Sequence, residues 1–330
     1  MLSASVPSLP PGGGEVILAA AIKAIKEESA MLLIGYAVST ATYGISILQV
    51  YLYFRNYPKD NVSLKLTVAT FWTLDTLSSV IASHALYTLY VLDFENLTTY
   101  SLIPWSWALE TAILAVVAIM AQYFYAWKIW AVSRNFVVAG FILLISAASF
   151  GMGMYISVYL FRFPTLESLV GHSYRSVTTS IECTGLACDV MITTSLIYYL
   201  HSRKTEVLSS TQDMIDSLIL YVMSYGILII VCMALLLALE VAYPHHLYWH
   251  PFFQLVEKLC VNSVLASLNI RKSVLGKGQP EVSTRSALGP MVFSPNSPSN
   301  SGTVGSGSGK QKDMPLGIMY STHSESDRDV

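Results

Sequence analysis

Seven times between residues 31 and 274 the chain runs apolar for twenty residues or more, and this recurrence limits the fold more than any other feature. A helix needs about 20 residues to cross roughly 30 Å of hydrocarbon. Inside hydrocarbon no water satisfies the backbone, so each stretch must close its own hydrogen bonds, and a helix does so within one segment. The stretches lie near 31–54, 64–92, 103–130, 136–161, 176–202, 214–243 and 252–274. Their connections are short, so neighbours should pack antiparallel. The expected fold is an all-α integral membrane protein with seven transmembrane helices in one bundle. The last stretch carries Glu257, Lys258, Asn262 and Asn269 and needs shielding by the others.

Composition agrees. Hydrophobic residues make up 53% of the chain and charged residues 12%, against about 25% in soluble domains. The lipid bilayer is therefore the first partner, and a net charge of −2 gives no basis for binding nucleic acid. Cys183, Cys188, Cys232 and Cys260 all fall in apolar stretches, where they read as small buried hydrophobes.

The placement of lysine and arginine sets an orientation. Loops after the first, third and fifth stretches and the C-terminal flank hold Arg55, Lys59, Lys65, Lys128, Arg134, Arg203, Lys204, Arg271, Lys272, Lys277 and Arg285. The other side holds only Lys23, Lys26, Arg162 and Arg175. The positive-inside rule then puts the N-terminus outside and the C-terminus in the cytoplasm, in the plasma membrane or an endomembrane. Residues 1–30 read as a flexible segment and a short interfacial helix over 15–29, with no cleavable signal. Residues 31–274 form the membrane domain. Residues 275–330, rich in Gly, Ser and Pro, read as a disordered cytoplasmic tail open to a cytoplasmic partner, with Ser294-Pro and Ser297-Pro as weak phosphorylation signals.

Carboxylates inside such stretches require an explanation. In IECTGLACDV, Glu182 and Asp189 stand seven residues apart, about 10.5 Å along one helix face, with Thr178 and Thr193 extending the stripe. A charge at the bilayer centre costs about 2.5 kcal/mol or more, so both should face the bundle interior. Residue counting sets Asp75 level with Asp189, near the midplane. It sets His84, Glu110, Glu257 and Lys258 level with Glu182 in the outer third, and Glu240 near the outer end. Two layers are expected: an outward-facing polar pocket with Lys258 among several acids, and an Asp75/Asp189 pair beneath it. Lys258, Asn262 and Asn269 share a face that continues inward. The plainer reading of Glu110, Glu182, Glu240 and Glu257 is a set of interhelical ties, with Lys258 as their counter-charge.

Two loops carry further signals. PHHLYWH (244–250) offers His245, His246 and His250, more naturally an interfacial segment than a metal site, since no ligand cluster with usable spacing stands beside it. Asn96-Leu97-Thr98 is a glycosylation sequon on the side assigned outside, whereas Asn61-Val62-Ser63 should stay bare.

The segment YFRNYPKDNVSLKLTVATFWTLDTLSSV, Asp189 followed by Val-Met-Ile-Thr, the loop YYLHSRKTEV and the run KLCVNSVLASLNIRKS together resemble fungal multi-span membrane proteins that carry domain of unknown function 6534. The resemblance spans 31–274. Asp75, Asp189, Lys258, Asn262, Asn269 and Arg271 match its pattern, while Ile270 replaces its usual alanine. It implies a seven-helix fungal membrane protein and no established activity.

Three function classes follow. A receptor-like protein binding a small molecule in the outward-facing pocket fits best, although the third stretch ends YAWKIWAVSR, without an Asp/Glu-Arg-Tyr run, and the seventh has no Asn-Pro-x-x-Tyr. A retinal protein would need a deeper lysine than Lys258. A proton-linked transporter or channel is the alternative, although no inverted repeat or broken helix pair is visible and SFGMGMY offers close packing through Gly151 and Gly153. A membrane enzyme is the third class and has the least support, with a structural membrane protein as a further alternative. No catalytic motif, cofactor or metal set is read, so an enzyme is not expected.

Overall fold

The computed structural model describes residues 13–92, 102–204 and 209–275. Asn96 lies outside them, as do residues 1–12 and all of the C-terminal tail beyond residue 275. Seven long helices are found among the described residues: α1 (Gly13–Asn56), α2 (Val62–Tyr87), α3 (Trp105–Ser133), α4 (Phe136–Arg162), α5 (His172–Lys204), α6 (Ser209–Ala242) and α7 (His250–Leu275). A π-helical turn, Thr88–Leu92, extends α2, and a short helix, Leu166–Val170, precedes α5. The only strand-like pairing described is an isolated bridge between Leu102 and Thr165. The interfacial segment expected at 15–29 is continuous with the first stretch in one helix of 44 residues, because nothing between Gly13 and Asn56 breaks the hydrogen-bond ladder.

Local chemistry sets the ends. Asn61 opens α2 by accepting a hydrogen bond from the Ser63 amide, and Asn135 opens α4 by accepting one from the Val137 amide at 2.9 Å. Between α3 and α4 only Arg134 and Asn135 intervene. Arg134 adopts the left-handed conformation (φ 57°) that stops α3 and reverses the chain, and its guanidinium lies over the Trp130 ring. Pro104 precedes α3, where its missing N–H costs nothing.

Neighbours in sequence pack side by side from α1 to α7, and α7 closes the ring against α1. The third helix is the most central, since it also touches α5 and α7. One core joins α1, α2, α3, α6 and α7 through Tyr53, Phe71, Val117, Met233 and Leu265. A second, near the end that carries His246, gathers Leu32, Leu89, Trp107, Ile156 and Tyr174. A third, near the Arg134 end, joins α3, α4 and α5 through Ile129, Ile142 and Leu196.

The outer surface is apolar. Leu33, Val38 and Leu48 on α1 are exposed, as are Val137, Leu144 and Val158 on α4, whereas Asp75, Glu110, Glu257 and Lys258 are buried. That inverts the arrangement of a water-soluble domain and suits a hydrocarbon solvent. Five helices are long and apolar enough to cross a membrane, over Ile22–Asn56, Trp105–Ser133, Phe136–Arg162, His172–Ser202 and Met223–Ala242. The protein is therefore read as an integral membrane protein. The two remaining long helices, α2 and α7, are less apolar because they carry Asp75, Glu257, Lys258 and their hydrogen-bonding neighbours.

Close approach between helices depends on particular small residues. A Cβ on Gly35 would lie 2.9 Å from Pro251 Cα, so glycine allows α1 to meet the start of α7. Of the two glycines in SFGMGMY, Gly153 packs against Ala115 of α3, while Gly151 faces open space and takes no part in helix packing.

Candidate functional site

Two polar centres occupy the bundle. The first surrounds Lys258, in the third turn of α7. Its Nζ stands 2.8 Å from Asp75 Oδ1 and 3.8 Å from Glu257 Oε1. It also donates to the Asp75 carbonyl and to Ser79 Oγ, both at 3.0 Å. The Tyr43 ring lies 5.7 Å away, within cation–π range. Glu257 accepts from Ser78 Oγ at 2.5 Å. Asp75 is fully buried and Lys258 only 1% exposed, so the ammonium is held by protein groups in place of water.

The same face of α7 ties the helix to α1. Asn262 Nδ2 donates to Ser46 Oγ at 2.9 Å and to the Thr42 carbonyl at 3.3 Å, and Asn269 Nδ2 donates to the Gln49 carbonyl at 2.8 Å. These are interhelical ties. Polar groups on α7 find partners on α1 and α2, so these groups point into the bundle.

The second centre is a cavity of about 170 Å³ among α3, α4, α5, α6 and α7. It extends from Trp107 and His250, near the His246 end, to Asp189 and Ser263 in mid-bundle. Glu110, Glu182, Asp189 and Glu240 line it, set in mainly apolar walls. Thr178 donates to Glu240 Oε1 at 2.5 Å, Gln254 donates to Glu110 Oε1 at 3.3 Å, and the Glu182 and Glu240 carboxyls interact directly across α5 and α6. His250 stacks on Trp107 with ring centroids 5.2 Å apart. Several buried atoms on this wall have no hydrogen-bond partner among the described residues: Glu182 Oε2, Glu240 Oε2 and His250 Nδ1.

These positions depart from the expected two layers. Lys258 pairs with Asp75 and not with the outer acids as a group, and Asp189 stands on the cavity wall, apart from Asp75. Glu182, Asp189 and Glu110 come together around one cavity, as a shared interior face implies. His84 is exposed at the edge of α2 and rests on Trp105, at 4.9 Å between centroids, outside the pocket in which it was expected. Sequence reasoning left His250 among loop histidines, whereas it is the first residue of α7 and 3% exposed. Its neighbours Pro251 and Phe252, opening an apolar-periodic run, were the available signal.

The rest of PHHLYWH forms a polar latch outside the cavity. Glu28 of α1 accepts from the Leu247 amide at 2.5 Å and pairs with His246 Nδ1 at 2.8 Å. The His246 ring stacks on Tyr248, whose hydroxyl donates to Glu27 at 3.4 Å.

No match was found among curated proteins or among solved structures. Residues 185–273, from the middle of α5 through α6 and most of α7, match the model of a family described as a family of unknown function (DUF6534).

Proposed function

We propose that this chain is a seven-helix, receptor-like membrane protein of the fungal type its sequence resembles, binding a small molecule in the acid-lined cavity. In this reading α2 and α7 cross the bilayer with the other five helices. The N-terminus and the His246 end face outside, and the C-terminal tail meets a cytoplasmic partner. The proposed role is binding, not catalysis.

The observation that carries this reading is the cavity, where buried polar atoms on α5, α6 and α7 stand unpartnered. Buried polar groups are ordinarily hydrogen-bonded, and a concave, mostly apolar site with a few convergent polar groups is the usual form of a ligand pocket. Ala118→Trp, which fills the cavity from α3, provides the test. A fragment set screened by thermal stabilisation should contain binders of the natural chain whose effect is lost in the variant. No cavity-dependent binder from a broad set would sink the reading.

A second observation favours proton-linked transport. Glu240, Glu182 and Asp189 succeed one another along the cavity, and a smaller cavity lined by Asp189, Thr193 and Tyr125 continues from it. Stacked ionisable groups of this kind serve proton relays. Proton flux in proteoliposomes under an imposed potential, lost in Asp189→Asn with folding retained, would put transport first. Absence of flux in vesicles holding folded protein would remove it.

A further inference from the structure

The character of the cavity wall narrows the ligand. Four carboxyl side chains line it, and no lysine or arginine among the described residues does. Lys258, which lies outside this wall, is engaged by the Asp75 carboxylate and carbonyl and by Ser79. Acidic residues alone would not define a site. Here Glu182 and Glu240, at 9% and 7% exposed, each keep one oxygen without a hydrogen-bond partner on the cavity wall, and so does Nδ1 of the separate residue His250.

We infer that the cavity takes a small organic cation, a single apolar ring or compact alkyl group carrying an ammonium, with the ammonium at the Glu182–Glu240 end. The inference deepens the ligand-binding reading and rests on it. An ammonium has only donors, and the two carboxyl oxygens that find no donor elsewhere face each other across α5 and α6 as acceptors, so the groups match in kind and sign. Trp107 and Phe253 also line the cavity, and aromatic rings attract cations. An anion would meet four carboxyl groups with no counter-charge. A sugar or other polyol would leave most of its hydroxyls against apolar wall, a costly burial. Size agrees too: an engineered cavity of about 150 Å³ admits benzene, so 170 Å³ accommodates one ring and a short arm.

The test uses the purified full chain in neutral maltoside micelles with three probes of like shape: 2-phenylethylamine, 2-phenylethanol and 3-phenylpropanoate. At about ten times its Kd the amine should raise Tm by about 3 °C. The alcohol and the carboxylate should do markedly less. Replacing both Glu182→Gln and Glu240→Gln should weaken amine binding about tenfold or more, the usual value of a hydrogen bond to a charged group. The comparison among probes on the natural chain stands even if that variant misfolds. Equal or greater stabilisation by the alcohol or carboxylate, lost in Ala118→Trp, would overturn the cation assignment and leave the pocket reading intact. Amine stabilisation that persists in Ala118→Trp would overturn it as well, by placing the amine outside the cavity. If none of the three stabilises the chain, the cation assignment fails, and the fragment screen decides the broader reading separately.

Discussion

Replacing Lys258 with methionine tests the buried ion pair most directly. The substitution keeps the length and apolar stem of the side chain and removes the ammonium, together with its contacts to Asp75 Oδ1, the Asp75 carbonyl and Ser79 Oγ. Asp75 is left fully buried, and once the ammonium is gone neither of its carboxylate oxygens has a partner among the described residues. Breaking a buried pair from one side costs about 3–5 kcal/mol, most of it the stranded charge. At roughly 2–4 °C per kcal/mol for a domain of this size, Tm should fall by about 6–20 °C. The double variant Lys258→Met with Asp75→Asn removes both charges of the close pair and should recover much of the loss, with Glu257 keeping its hydrogen bond from Ser78. A thiol-reactive fluorophore in micelles can report the transition. Cys188, Cys232 and Cys260 are buried and become reactive on unfolding, while exposed Cys183 contributes the baseline. A single variant as stable as the parent, or a double variant no better than the single, would refute the argument that this pair is a closed unit.

Three further outcomes are expected. Gly35→Ala should cost about 1–3 kcal/mol, because the new methyl would press on backbone atoms of Pro251, which cannot swing aside; Gly44→Ala, facing open space on the same helix, is the control and should leave Tm unchanged or slightly higher. Gly226→Ala would bring a methyl 2.5 Å from Thr193 Oγ1, so α5 and α6 should separate and Tm drop, an effect that Thr193→Ala should relieve in the double variant. Glu28→Ala removes the acceptor of the Leu247 amide and the partner of His246; hydrogen exchange at that amide should accelerate about tenfold or more, and an unchanged rate would show that the loop holds without it.

Each expected stretch coincides with one long helix, although apolar length by itself marks only five of the seven as able to cross a membrane. The burial of Asp75, Glu110, Glu182 and Lys258 was legible too, since an ionisable group in such a stretch has to face inward. Partnership was not. Counting residues from the end of each stretch assumes that every helix starts at the same depth and stands upright. The N-terminal extension of α1, the π-helical turn after α2 and the start of α7 at His250 all break that assumption. An error of about one turn was enough to assign Lys258 to the outer acids when its partner is Asp75. His84 went astray differently. Its depth was reasonable, but one residue's rotation on α2 separates the buried line of Asp75, Ser78 and Ala85 from the exposed edge, and α2 is too weakly amphipathic for sequence to fix that rotation.

The contact between the first helix and the last has a consequence for how the protein is made. The partners of α7 are supplied from the beginning of the chain: Thr42, Ser46 and Gln49 on α1, and Asp75, Ser78 and Ser79 on α2. During synthesis those groups emerge some two hundred residues before Asn262 does, and they must wait in the membrane without their counterparts. Until α7 arrives, Asp75 is a carboxylate with no ammonium, a feature by which a quality-control system could recognise an incomplete chain. Termination anywhere between α6 and Lys258 would therefore yield a product with six intact helices and an open seam between α1 and α6. Supplying residues 243–275 as a separate segment should close that seam, because the information for docking lies in side chains and not in the loop that joins them.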